Sequence, residues 1–241
     1  SYEELSYLTL QRYNKILDKL EVFRKTNNLL ETGCGFGYFL EEARKRKWNV
    51  YGTEFSEKTI AECRRKNIFV SESFEDFPMN VKNQFDAVVS MEVIEHLTDP
   101  VKEIEKYSDI VRPLGALYIT TPNFNSFSRR LFGKKWNVII YPEHLNYFTS
   151  HTINNLMLKY DFRKIEHQTS GFSPGRLIYS IRSGKNGIDA ELSNYDYNGK
   201  DRQLRDSIEK NILLRLIKNW INSLLSLFNS GDTLKILYEK K

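Results

Sequence analysis

Leu29-Leu30-Glu31-Thr32-Gly33-Cys34-Gly35-Phe36-Gly37 decides how this chain is read: an apolar run, an acid and three alternating glycines predict a strand turning sharply into a helix around a bound ligand. Glycine lacks Cβ, so Gly33, Gly35 and Gly37 can take positive φ and let a ligand approach the main chain. A dinucleotide fingerprint needs glycine at its first, third and sixth positions, where a pyrophosphate meets the helix N-terminus. Counted from Gly33, the sixth residue is Tyr38. The carboxylate of Glu31 would moreover face phosphate charge. It suits a nucleotide-type ligand that carries an ammonium group.

About twenty residues on, Val50-Tyr51-Gly52-Thr53-Glu54-Phe55-Ser56 reads as a second strand ending in an acid. Rossmann-like folds place an acid there to accept hydrogen bonds from ribose hydroxyls. Outward from these two strands the chain alternates strand and helix in the order of a doubly wound sheet. An amphipathic helix over 4–24, within an N-terminal 1–26 segment, precedes the first strand. Strands are predicted near 28–32, 49–54, 68–70, 84–90 and 115–121, and helices near 37–47, 57–66, 91–97 and 101–111, with Pro113 and Gly115 ending the last. The aromatic, irregular stretch 123–148 is predicted to cover the active site, and a helix near 150–160 and a strand near 162–169 follow.

Gly231-Asp232 followed by the alternating Leu234, Ile236 and Tyr238 predicts a final strand over 232–239. Residues 172–230 then form a largely helical insertion. Within it Leu204, Ile208, Ile212, Leu216, Trp220, Leu224 and Phe228 recur at four-residue steps. That stripe suits packing on the parent domain or on a second copy in a homodimer. It also suits peripheral membrane contact through 204–228, since no acid follows Glu209 before Asp232.

Composition fits one α/β domain spanning 1–241, with 40% hydrophobic residues to fill a core. Two cysteines, Cys34 and Cys63, suggest no disulfide framework, and with no secretory or spanning apolar segment visible a cytoplasmic setting is expected. The net charge of +5 permits an anionic substrate without demanding nucleic acid.

The reacting groups are expected after the fourth strand, in Ser90-Met91-Glu92-Val93-Ile94-Glu95-His96-Leu97. On a helix, spacings of three and four put Glu92, Glu95 and His96 on one face at the carboxyl end of the sheet. A second candidate is His144 in Tyr141-Pro142-Glu143-His144-Leu145-Asn146-Tyr147-Phe148-Thr149. His96 or His144 could take the proton of an acceptor hydroxyl.

The E-x-G-x-G-x-G loop resembles motif I of the class I S-adenosylmethionine (SAM) methyltransferases. The resemblance implies a Rossmann-like, seven-stranded, mostly parallel sheet with one reversed strand near the C-terminus and helices on both faces. It implies SAM as donor and S-adenosylhomocysteine as product, with Glu31 near the methionine moiety, Glu54 on the ribose hydroxyls and Phe55 against adenine. Ser73 and the Phe74 amide align with the adenine contact, where Glu72 or Glu75 could substitute, and Ser90 completes the set. E-V-I-E-H-L, T-P-N at Thr121-Pro122-Asn123 and P-E-H-L-N-Y-F-T resemble a subfamily of bacterial methyltransferases of cell-surface polysaccharide biosynthesis. That implies O-methylation of a small molecule such as a sugar, a nucleotide-sugar or a glycan precursor. The E-x-x-E-H segment is also similar to ubiquinone-pathway O-methyltransferases and to small-RNA 2′-O-methyltransferases. In the latter, carboxylates and histidines hold a divalent metal. Carried over, the ligands would be Glu92, Glu95, His96 and His144, while the sugar reading expects no metal and no nucleic acid. A non-catalytic SAM-binding scaffold is the remaining alternative.

Overall fold

The computed structural model describes residues 7–77, 82–136, 138–171 and 211–241. Helix α1 (Tyr7–Leu20) leads into β1 (Asn28–Thr32), α2 (Tyr38–Lys45), β2 (Asn49–Thr53), α3 (Glu57–Arg65), β3 (Phe69–Ser71) and β4 (Phe85–Met91). Then come α4 (Pro100–Ile110), β5 (Val111–Pro122), α5 (Phe127–Phe132), α6 (Ser150–Leu158), β6 (Phe162–Ser170), α7 (Ile212–Leu227) and β7 (Thr233–Lys240). The strands form one seven-stranded sheet in the order β3-β2-β1-β4-β5-β7-β6, parallel through β5 with antiparallel C-terminal strands. This is the Rossmann-like arrangement, and the predicted C-terminal strand enters it between β5 and β6.

The described residues group into two compact units, one of 7–77, 82–121, 152–167 and 236–241 and the other of 122–136, 138–151, 168–171 and 211–235. In the first, strand residues alternate between two faces. Leu29, Ala87 and Val89 join Leu17, Leu20, Phe39, Leu40 and Cys63 of α1, α2 and α3 in one buried cluster. Thr32 and Ser90 fall on the opposite face, where the buried Tyr107 hydroxyl of α4 meets both, at 2.9 and 3.2 Å. At the amino edge of the sheet the fully buried Asp86 accepts three backbone N–H groups, from Lys25, Thr26 and Asn27. It also pairs with Arg112 at 2.5 Å, which ties the entry of β1 to the start of β5. In the second unit, the Asn123 side-chain amide donates to the carbonyls of Asn229 and Gly231, and Ser128 bonds the buried Asp232.

Three local expectations are corrected. Residues 91–97 form no α-helix: β4 runs to Met91, Glu92 takes φ +55, and only a 3-10 turn over Ile94–His96 follows. The i, i+3 and i, i+4 argument for one helical face therefore does not apply. Pro113 and Gly115 do not end a helix but lie within β5, where pairing shifts from Phe85↔Val111 to Ala87↔Ala116. The irregular 123–148 stretch contains α5 and a further 3-10 turn over Gly133–Lys135. Of the insertion placed over 172–230, residues 172–210 lie outside the described residues, and 211–230 contain α7.

Candidate active site

The β1–α2 loop is built on backbone that only glycine adopts easily. Gly33, Gly35 and Gly37 have φ of +61, +51 and +71. A Cβ at Gly33 would lie 2.6 Å from Val93 Cγ2, so packing reserves that position for glycine. At Gly35 a Cβ would meet nothing within 4 Å, which marks open space beside the main chain.

Glu54, at the end of β2, holds this loop in shape. Its Oε2 accepts the Gly35 N–H at 2.8 Å, and its Oε1 accepts the N–H groups of Phe55 and Ser56 at 2.8 and 3.2 Å. Three donors orient the carboxylate and still leave it acceptor capacity for a diol. The Phe55 ring beside it is 75% exposed, an apolar face available for stacking.

Glu31 differs. It is 4% exposed, and its Oε2 is buried without a hydrogen-bond partner. Burial, with the nearby Cys63 and Glu54, holds its pKa well above the ordinary carboxylate range. A buried acid with an unsatisfied oxygen is a site that a cationic ligand would complete. The residues present thus fit SAM, whose ammonium, ribose and adenine have matching partners in Glu31, Glu54 and Phe55.

Ser73 and Phe74 lie just past β3. The Ser71 hydroxyl donates to the Ser73 carbonyl at 2.7 Å, and the Phe74 ring packs edge-on against Phe77 with centroids 6.0 Å apart. Glu72 is exposed, and the buried Ser90 hydroxyl accepts from the Tyr107 hydroxyl.

At the carboxyl ends of β4 and β5, two threonines meet two carboxylates. Thr120 Oγ1 donates to Glu92 Oε1 at 2.8 Å, and Thr121 Oγ1 donates to the buried Glu95 Oε2 at 3.0 Å. Burial, followed by the charge of Glu92, pushes the Glu95 pKa up to about 8. One ligand atom of Glu95 and one of the exposed His96 lie within 4.8 Å of each other. The pairing of Thr120 and Thr121 with these acids escaped the sequence, since a Thr-Thr pair ending a strand carries no signal of its own; Tyr107 was equally silent.

His144 belongs to the second unit. Its Nδ1 lies 2.8 Å from the Val138 carbonyl oxygen. A carbonyl only accepts, so Nδ1 carries the proton and the lone pair of the neutral ring sits on Nε2.

Among the described residues, no helix is long and apolar enough to cross a membrane. The chain is similar to the ubiquinone biosynthesis O-methyltransferase of Vibrio campbellii, with 27% identity over 152 residues, 59% of this chain and 64% of that protein. It therefore spans less than two thirds of that relative. Its fold is similar to a SAM-dependent methyltransferase from Archaeoglobus fulgidus, with a TM-score of 0.63, 18% identity and coverage of 97% of this chain and 93% of that one. It is also similar to phosphoethanolamine N-methyltransferase 2 of Haemonchus contortus, solved in complex with SAM, with a TM-score of 0.58, 17% identity and coverage of 96% and 52%. The family model described as "Methyltransferase domain" matches residues 3–167 of the 241, and the chain belongs to that family.

Proposed function

We propose that this chain is a SAM-dependent O-methyltransferase that acts on a hydroxyl of a small molecule and leaves S-adenosylhomocysteine. The observation that carries the donor assignment is Glu31, buried with an unpartnered oxygen beside a glycine loop that Glu54 organises. Bound there, SAM supplies an electrophilic methyl on a sulfonium. Glu31 takes the amino group, Glu54 the ribose hydroxyls and Phe55 the adenine face, with Ser73, Phe74 and Ser90 as further contacts. Displacement at that methyl needs the acceptor oxygen aligned at about 3 Å and relieved of its proton.

Two imidazoles are candidates for that proton. His96 follows the Glu92–Glu95 pair, and His144 presents Nε2 as the acceptor of a ring whose tautomer Val138 sets. Glu95 keeps its own proton below about pH 8, which suits it to donate a hydrogen bond and not to act as the base. The 123–148 stretch is assigned the role of cover.

For the acceptor, the name of the Vibrio relative points to ubiquinone biosynthesis and lends no support to the sugar expected from the sequence. An aromatic hydroxyl of a quinone precursor is the reading adopted here. Chemistry agrees, because a phenol ionises near ~10 and yields its proton to an imidazole far more readily than an alcohol does. A second reading draws on Glu95, since the raised pKa of a buried carboxyl with Glu92 beside it would be lowered again by a divalent cation. Glu95 and His96, whose ligand atoms lie within 4.8 Å of each other, would contribute ligands to such an ion, which would act as a Lewis acid on the hydroxyl.

Transfer of labelled methyl from SAM into catechol-type phenols, nucleotide sugars and small RNA, with and without a strong chelator, tests these readings. Label in the phenol that survives chelation, falling about 10²- to 10⁴-fold in kcat in either His96→Gln or His144→Gln, is expected. Label only in the sugar pool overturns the acceptor. Chelator-sensitive label promotes the metal, and normal SAM binding with no methylated acceptor leaves a scaffold.

A further inference from the structure

We infer that α7 and the start of α5 form a surface that seats this chain on an anionic lipid bilayer. The inference goes beyond the proposed reaction and does not rest on it. Along α7, Leu216, Trp220, Leu224 and Leu227 follow one another at steps of four, four and three, which is one face of a helix. They are 58%, 66%, 37% and 73% exposed. Single exposed apolar side chains are common on a protein surface, but four in a row on one helix face form a contiguous stripe of the kind that another surface covers.

The stripe continues onto a second element of the same unit. Phe228, just past α7, is exposed, and the Ser230 carbonyl accepts the Phe127 N–H at 2.8 Å, which fixes the start of α5 against the end of α7. There Phe127 and Leu131, one turn apart, are also exposed.

Charge selects the occupant. From Lys210 to Gly231 the chain carries Lys210, Arg215 and Lys218 and no acid. Around α5 it carries Arg129, Arg130, Lys134 and Lys135, with no acid from Asn123 to Pro142. Arg130 and Lys134 are exposed. The exposed Arg130 and Lys134, next to Leu131 in α5 and the turn after it, would meet like charge in a contact between two copies, whereas an anionic leaflet attracts both them and the apolar residues. The geometry suits an interfacial helix. α7 has 16 residues and cannot cross a membrane, and an indole on its apolar face is placed for the headgroup boundary.

Flotation of the whole chain with vesicles tests the inference, comparing phosphatidylcholine containing phosphatidylglycerol with phosphatidylcholine alone. Binding to the anionic vesicles, lost at high salt, is expected. Because Trp48 and Trp136 are buried, a blue shift of tryptophan emission on binding reports Trp220. Leu224→Glu with Leu227→Glu is expected to abolish flotation while SAM binding and thermal melting stay at the wild-type level. Leu216→Glu serves in its place if that pair fails to fold. Neutralising one exposed basic residue, Arg130→Gln, should weaken binding about fivefold. A wild-type chain that stays in the dense fraction with both vesicles overturns the proposal. So does a solution dimer that the same glutamates disperse with no vesicle binding.

Discussion

The two loops that close the carboxyl end of the sheet treat carboxylates in opposite ways. At β2 the Glu54 carboxylate accepts backbone N–H groups from Gly35, Phe55 and Ser56, so main-chain geometry holds it in one pose. At β4 the carboxylates of Glu92 and Glu95 accept from the hydroxyls of Thr120 and Thr121, and burial followed by the charge of Glu92 raises the pKa of Glu95. The first loop presents a carboxylate fixed in one pose. The second holds a carboxyl that keeps its proton to about pH 8. The contrast shows how neighbouring acids in one fold take different tasks from the donors they are given.

The largest loss of SAM affinity should come from removing the organiser of the first loop. Glu54→Ala leaves three N–H groups without their acceptor and takes away the proposed ribose partner. SAM affinity, read by calorimetry, should fall roughly hundredfold, about 2.7 kcal/mol. An affinity within a factor of three of wild type would mean that the loop needs no carboxylate, and the contrast would collapse.

The glycines sharpen the same contrast at a smaller scale. Gly33→Ala must displace Val93 and strain φ, so it should lower unfolding stability by about 2–4 kcal/mol. Gly35→Ala meets open space and carries only the φ strain, about 1–2 kcal/mol, yet its methyl enters the space assigned to the donor. It should weaken SAM binding about tenfold, and a Gly35→Ala protein that binds SAM normally would move the donor elsewhere.

The smallest effect belongs to the second loop and is read through pH. Glu95 titrates near 8 when folded and near 4.5 when unfolded, so between these values the native chain holds a proton that the unfolded chain has lost. Stability must then fall as pH rises through that window, at most by about 1.4 kcal/mol per unit from this group. Urea unfolding at pH 5.5 and 7.5 should show this slope, and Glu95→Gln should flatten it. Equal slopes in the two proteins would show that Glu95 ionises normally.

The comparison also explains which parts of the site were legible in the sequence. The donor loop could be read because its constraints are local: positive φ demands glycine at Gly33, Gly35 and Gly37, and an acid must end the strand that follows. The E-x-x-E-H segment could be recognised, but its assumed helical face was wrong, since Glu92 leaves β4 with φ +55 and only a 3-10 turn forms. Hydrophobic periodicity cannot distinguish a seven-residue helix from a turn of that length. The C-terminal strand, by contrast, was read from alternation alone, although its place between β5 and β6 came from topology.

The sequence by itself determined the alternation of strands and helices and the glycine loop, because each follows from backbone sterics or from a period of a few residues. Only the tertiary structure decided that Glu54 is satisfied while Glu31 keeps an orphan oxygen, that Glu95 is buried against Thr121, and that the apolar stripe of α7 faces water. Desolvation and hydrogen-bond satisfaction depend on which distant segments arrive at a side chain. No local pattern records that arrival.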